Sequence, residues 1–124
     1  MNASLRLDKV NPSEYDLVYF LPGGHDPMWD FVSNPLLNNT QQHFVQEEKV
    51  IAALCHGVSV LVDAFDTDGN VFVKGKKITS FADSEEIGVG AEKLVPFILE
   101  SKLTELGGIY SKGNDFSSYT VVYE

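Results

Sequence analysis

The chain has 124 residues, enough for one domain, and 44% of them are apolar, too many for a disordered segment. Its 18 acidic and 9 basic residues leave a net charge of −9 with no basic cluster. That argues against nucleic acid and anionic membranes as partners, since both need positive patches. No apolar run reaches the length of a membrane span, the first residues lack a secretory apolar core, and one cysteine cannot form an internal disulfide. A reducing, cytoplasmic setting fits these features.

Residues 1–14 are polar and broken by Pro12-Ser13-Glu14, and read as an arm ahead of a single domain over 15–124. Tyr15 to Leu21, dense in aromatic and β-branched residues, predicts a strand. Pro22-Gly23-Gly24-His25 ends it. Two glycines there allow a ligand to approach the backbone closely, although a plain turn reads the same way. Asp26-Pro27 predicts a short helix with Asp26 as its N-cap. A second helix, from Pro35 or Asn39 to about Glu48, would turn Leu36, Leu37, Phe44 and Val45 inward.

Val50 to Leu54 predicts a buried strand covered on both faces, followed by a sharp turn at Cys55-His56-Gly57 and a helix to about Ala64. A strand, a nucleophile and a helix in this order form an elbow that lifts the nucleophile above the sheet edge. Backbone N–H groups there favour a thiolate or an oxyanion and would lower the thiol pKa. A lone cysteine after an apolar run is more often an inert, buried small hydrophobe. His56 is the residue type that activates a thiol. Adjacent side chains in a regular strand point to opposite faces, so Cys55 and His56 can cooperate only where the backbone bends sharply.

Asp66 to Asn70 reads as a turn, its spacing being wrong for a calcium loop. Val71–Val73 and Lys77–Phe81 predict short strands, and Asp83-Ser84-Glu85-Glu86 a helix start. Pro96 to Leu106 predicts an amphipathic helix with Ile98, Leu99, Leu103 and Leu106 inward, capped by Gly107-Gly108. Ile109-Tyr110 and Tyr119–Tyr123 predict strands. Alternating β and α elements imply a parallel sheet with helices on both faces. His25, His43, His56 and Cys55 are possible zinc ligands, but no pair has zinc-finger spacing, so no metal is expected.

Four stretches together resemble a known family. These are Leu21-Pro22-Gly23-Gly24-His25, Ala52-Ala53-Leu54-Cys55-His56-Gly57, Gly75 to Glu86, and Pro96–Glu100 with Leu106–Tyr110, in that order. The family is ThiJ/PfpI, also called class I glutamine amidotransferase-like, and the Cys-His-Gly elbow is similar to its branch of heat-shock chaperones and glyoxalase III enzymes. The resemblance implies an α/β, flavodoxin-like three-layer sandwich with a mainly parallel sheet and a nucleophile elbow. It implies Cys55 as nucleophile, His56 as its partner and an acid that orients the histidine. Alignment puts that acid at Glu86, with Glu85 one residue away as the alternative. Gly23, Gly24 and His25 would bind substrate, with Gly24 and the His56 N–H as the oxyanion hole. The resemblance implies a small aldehyde such as methylglyoxal as substrate, no cofactor, and conversion to a hydroxy acid.

The family pattern also has an opening strand, a helix and a glutamate on the thiol that are not matched here, and it continues past the Tyr-Thr-Val-Val stretch. The fold is therefore expected to be incomplete, with an open sheet edge covered in a homodimer or higher oligomer. The alternatives to the glyoxalase are a chaperone or binding module, a catalytically degenerate fragment, and an amidase or peptidase using the same thiol.

Overall fold

The computed structural model describes residues 3–22 and 24–124. Strand β1 (Leu17–Phe20) and strand β2 (Val50–Ala53) pair in parallel, Leu17 opposite Val50 and Phe20 opposite Ala53. Between them lie a single helical turn, α1 (Pro27–Asp30), and the three-turn helix α2 (Pro35–Gln46). A parallel pair needs such a crossover, and a helix is the usual one. Strand β3 (Lys77–Ile78) and strand β4 (Ile109–Tyr110) form a second parallel pair, connected through α3 (Asp83–Gly88) and α4 (Leu99–Glu105). The class is α/β. Among the described residues no ladder joins the two pairs.

The core is apolar and continuous. Phe20, Met28, Val58, Val60, Leu99 and Leu103 are all buried, with Val60, Leu99 and Leu103 fully so. Asn34 starts α2, its side chain accepting from the Leu36 and Leu37 N–H groups. Gly107 ends α4 in the left-handed region at φ 89°, and the Gly108 N–H then reaches the Leu103 carbonyl at 3.0 Å.

Several expectations are corrected. The central strand is not covered on both faces. Tyr15, Leu17, Tyr19 and Leu21 alternate outward along β1, and Val50 and Leu54 are exposed beside them. Such residues share one face of a ribbon, and among the described residues no helix or sheet layer lies on it. Leu36 is likewise exposed rather than inward. Asp26 makes no side-chain cap, because its own backbone is already helical (φ −52°, ψ −38°). The segment after the elbow is a 3-10 helix over Cys55–Leu61, not a longer α-helix. Gly57, Ser59 and the β-branched Val58 and Val60 are weak helix formers, and burial holds the segment instead.

Val71–Val73 makes one antiparallel bridge, Phe65 to Val71, and otherwise turns back on itself through Lys74 N–H to the Val71 carbonyl. Tyr119–Tyr123 is extended in sequence character but belongs to no strand, since a strand exists only where a neighbour supplies hydrogen bonds. Asp66 makes the predicted turn, its carboxylate accepting from the Asp68 and Asn70 N–H groups, and those contacts lower its pKa, Asn70 foremost. The 1–14 arm carries two short 3-10 turns, Leu7–Lys9 and Pro12–Glu14, that rest against α2. No helix among the described residues is long and apolar enough to cross a membrane.

Candidate functional site

The elbow is built by two backbone features. Cys55 sits at φ 54°, in the left-handed region. A non-glycine residue there is strained by about 1–2 kcal/mol, and the surrounding packing has to hold it. Gly57 supplies part of that packing. A Cβ at Gly57 would stand 2.5 Å from the Phe20 carbonyl oxygen, so the 3-10 helix lies directly against the end of β1. The Leu54 N–H donates to that same carbonyl at 3.2 Å, and the buried Ser59 hydroxyl donates to the Pro27 carbonyl at 2.9 Å. The bend removes the obstacle of strand alternation. Cys55 Sγ and His56 Nδ1 are 3.3 Å apart.

His56 and Glu86 are almost completely buried, 2% and 1% exposed. His56 Nε2 lies 2.9 Å from Glu86 Oε2. A carboxylate only accepts, so Nε2 carries the proton and Nδ1 offers its lone pair to the thiol. The Phe81 ring packs 4.5 Å from the His56 ring and helps hold it. Burial pushes the Cys55 thiol up; the His56 backbone N–H, hydrogen-bonded to the sulfur, pulls it down; Glu85 and Glu86 push it up again. The net direction is upward, against the lowered value expected of an elbow thiol, because a half-buried sulfur beside two carboxyl groups loses more from desolvation than one N–H returns.

The neighbouring glutamates of α3 face different ways. Glu85 accepts from the Ala82 N–H at 2.8 Å and the Phe116 N–H at 2.6 Å, and so closes the start of the helix. Glu86 points to the imidazoles. His25 does not stand free beside the sulfur. Its Nε2 is 2.6 Å from Glu86 Oε1, and its ring is 4.3 Å from that of His56. Gly24 is exposed at φ 72°, with open space where a side chain would be. Gly23 lies outside the described residues. The His56 N–H is engaged with the sulfur.

His25, His56 and Glu86 also present three potential metal-ligand atoms within 4.8 Å of one another, whereas His43 lies elsewhere, against Phe44. The hydrogen bonds just described already satisfy all three. Sequence reasoning missed the support under Glu86. The Asp83 carboxylate accepts from the Ser101 N–H at 3.1 Å, and the Glu100 carboxylate accepts from the Asp83 N–H at 2.8 Å, so α3 and α4 cap each other. Acids at the first turns of both helices were the available signal.

An elbow cysteine backed by a buried histidine–glutamate pair on an α/β frame belongs with a defined class, and the DJ-1/PfpI family model matches residues 1–94. The chain belongs to the DJ-1/PfpI family. A glutathione-independent glyoxalase of Schizosaccharomyces pombe is 30% identical over 106 residues, covering 83% of this chain and 42% of that protein. The Rapid Encystment Protein of Francisella tularensis superposes with TM-score 0.86 at 38% identity, over 93% of this chain and 51% of that one. Glyoxalase III of Candida albicans superposes at TM-score 0.84 and 24% identity, a likeness of fold. These neighbours place the fold in the flavodoxin-like class. The chain spans about half the length of the relatives it matches.

Proposed function

We propose that the chain carries the thiol chemistry of a cofactor-free glyoxalase acting on 2-oxoaldehydes such as methylglyoxal. The observation behind this is the unbroken Cys55–His56–Glu86 relay, 3.3 Å and then 2.9 Å, at a strained elbow. His56 takes the thiol proton as sulfur adds to the aldehyde carbon and passes it to the aldehyde oxygen, giving a neutral hemithioacetal and a free imidazole. The imidazole then removes the proton from that carbon and returns it to the neighbouring one, turning the adduct into a thioester of the hydroxy acid. Water hydrolyses the thioester and frees the thiol. Glu86 keeps the His56 proton on Nε2 throughout. Gly24 is the candidate donor to the enediolate oxygen, since the His56 N–H is engaged with the sulfur. The same thiol could serve an amidase, and only substrate choice separates the two.

Incubation with methylglyoxal without glutathione tests this. Wild type is expected to form lactate and Cys55→Ala none. If wild type forms none while iodoacetamide still labels Cys55, the site is a degenerate elbow.

A second reading comes from the bare face of β1 and β2, where Tyr15, Leu17, Tyr19 and Leu21 are exposed. It supports association through that face, as a homodimer or as a chaperone surface for unfolded chains. Sedimentation at micromolar concentration separates these from a monomer.

A further inference from the structure

Glu86 serves two imidazoles, and the thiol chemistry uses only one of them. Its Oε2 accepts from His56 at 2.9 Å and its Oε1 from His25 at 2.6 Å. Both contacts need a proton on the histidine nitrogen, since a carboxylate only accepts. Glu86 is 1% exposed. A charge held out of water is tolerated only where it is hydrogen-bonded. The terminal torsion of a glutamate is broad, so a single donor leaves the carboxylate free to rock about its own axis. One donor on each oxygen removes that freedom.

His25 is itself held firmly enough to do this. Its carbonyl accepts from the N–H of the buried Met28 at 2.9 Å. Its ring lies 4.3 Å from that of His56 and meets Phe81 edge-on at 6.2 Å. The Gly24 loop just before it is open, with nothing within 4 Å of where a Cβ would stand. The His25 side chain is 35% exposed, so replacing it opens no cavity in the core. We propose that His25 is a positioning residue: its Nε2–H pins Oε1 of Glu86, so that Oε2 stays on His56, and the same bond ties the Gly24 loop to the relay. His25 acts through Glu86, because the Nε2 proton it would offer a substrate is spent there.

The consequence for turnover rests on the proposed function, but the test reads the relay with no substrate present. NMR follows the His56 Nε2 proton in the folded chain. In wild type it should resonate downfield and exchange slowly with water, as befits a buried, charge-assisted bond. His25→Phe keeps a ring and removes the donor, and the His56 proton should then exchange at least about 10-fold faster. His25→Gln, whose amide nitrogen takes the place of Nε2, should restore exchange to within about 3-fold of wild type. His25→Asn is too short to reach Glu86. It should behave like His25→Phe, and it serves if the phenylalanine variant does not fold. Where wild type turns over methylglyoxal, the variants without the donor should lose about 10-fold in kcat with KM held within about 2-fold, the pattern of an interaction made in the transition state. Two results overturn the proposal: a His56 proton that exchanges as in wild type in the variants without the donor, or exchange in His25→Gln as fast as in His25→Phe.

Discussion

The two ends of β2 could hardly differ more. Where the strand runs into Cys55, the described groups meet partners: sulfur with imidazole, imidazole with carboxylate, carboxylate with a second imidazole. Along its flank and outer face, the same strand shows Val50 to solvent and turns the backbone of Ile51 and Ala53 into an open cleft. The elbow needs only a bend, a glycine and two contacts brought by α1 and α3, all within this chain. A sheet needs neighbours, and neighbours are a property of the whole family fold. A site can therefore be assembled in geometry while the sheet beneath it is still open.

The largest effect that would erase this contrast is expected at Gly57. Alanine there would drive a Cβ to 2.5 Å from the Phe20 carbonyl oxygen, a backbone atom that cannot swing aside. Overpacking of this kind costs about 1–3 kcal/mol, and the elbow should lose its geometry too. Urea unfolding should show a midpoint well below wild type, together with weaker burial of His56.

Glu86→Gln should be nearly isosteric and leave the fold alone. An amide can donate as well as accept, so the His56 tautomer is no longer enforced. Methylglyoxal turnover is expected to fall about 100-fold or more, within the range for general acid–base groups, with the unfolding midpoint little moved. Glu85→Gln should invert that pattern. Its carboxylate holds the Ala82 and Phe116 N–H groups, so the expected loss is about 1 kcal/mol of stability, with turnover changed only a few-fold. Equal effects of the two variants on turnover would show that the two glutamates are not divided between frame and site.

The smallest effect concerns pH. Burial holds the Cys55 thiol above its ordinary range, so iodoacetamide labelling should inflect above the free-thiol value of about 8.5. The sign for stability follows. The folded chain keeps this proton at pH values where the unfolded chain has lost it, so the thiol's contribution is full below the unfolded value and lost as pH rises through the folded one. Cys55→Ala should remove that alkaline slope. Labelling that inflects below the free-thiol value would show that the N–H at His56 outweighs desolvation.

Much of the architecture was legible in the chain because short-range patterns encode it. Asn34-Pro35, Gly107 and the run from Val50 to Gly57 mark a helix start, a helix end and an elbow by local chemistry alone. The alternation of elements pointed to a parallel sheet with helices on both faces, and the resemblance carried by the four motifs in order implied the flavodoxin-like class. Illegible was whatever depends on who stands next to whom. Tyr119–Tyr123 has strand composition but joins no described strand, and Val71–Val73 makes only the single bridge to Phe65. Leu36 has an apolar side chain but no layer above it. At the site, the choice between Glu85 and Glu86 could not be read from a run of adjacent acids. It depends on the rotation of α3, and that rotation is set by residues of α4. His25 shows the same limit: the Gly-Gly-His signal marks a loop near the site, but not that the ring would turn to the far oxygen of Glu86.

The reciprocal caps between α3 and α4 make the two helices behave as one strut. Each carboxylate, Asp83 and Glu100, closes the first turn of the other's helix. A change at Glu100, a residue with no hydrogen bond to Cys55, His56 or Glu86, is therefore expected to disturb the start of α3 and with it the aim of Glu86. Tolerance to substitution in this molecule should follow that mechanical line rather than distance from Cys55, with the start of α4 more sensitive than the exposed residues of the nearer Gly24 loop.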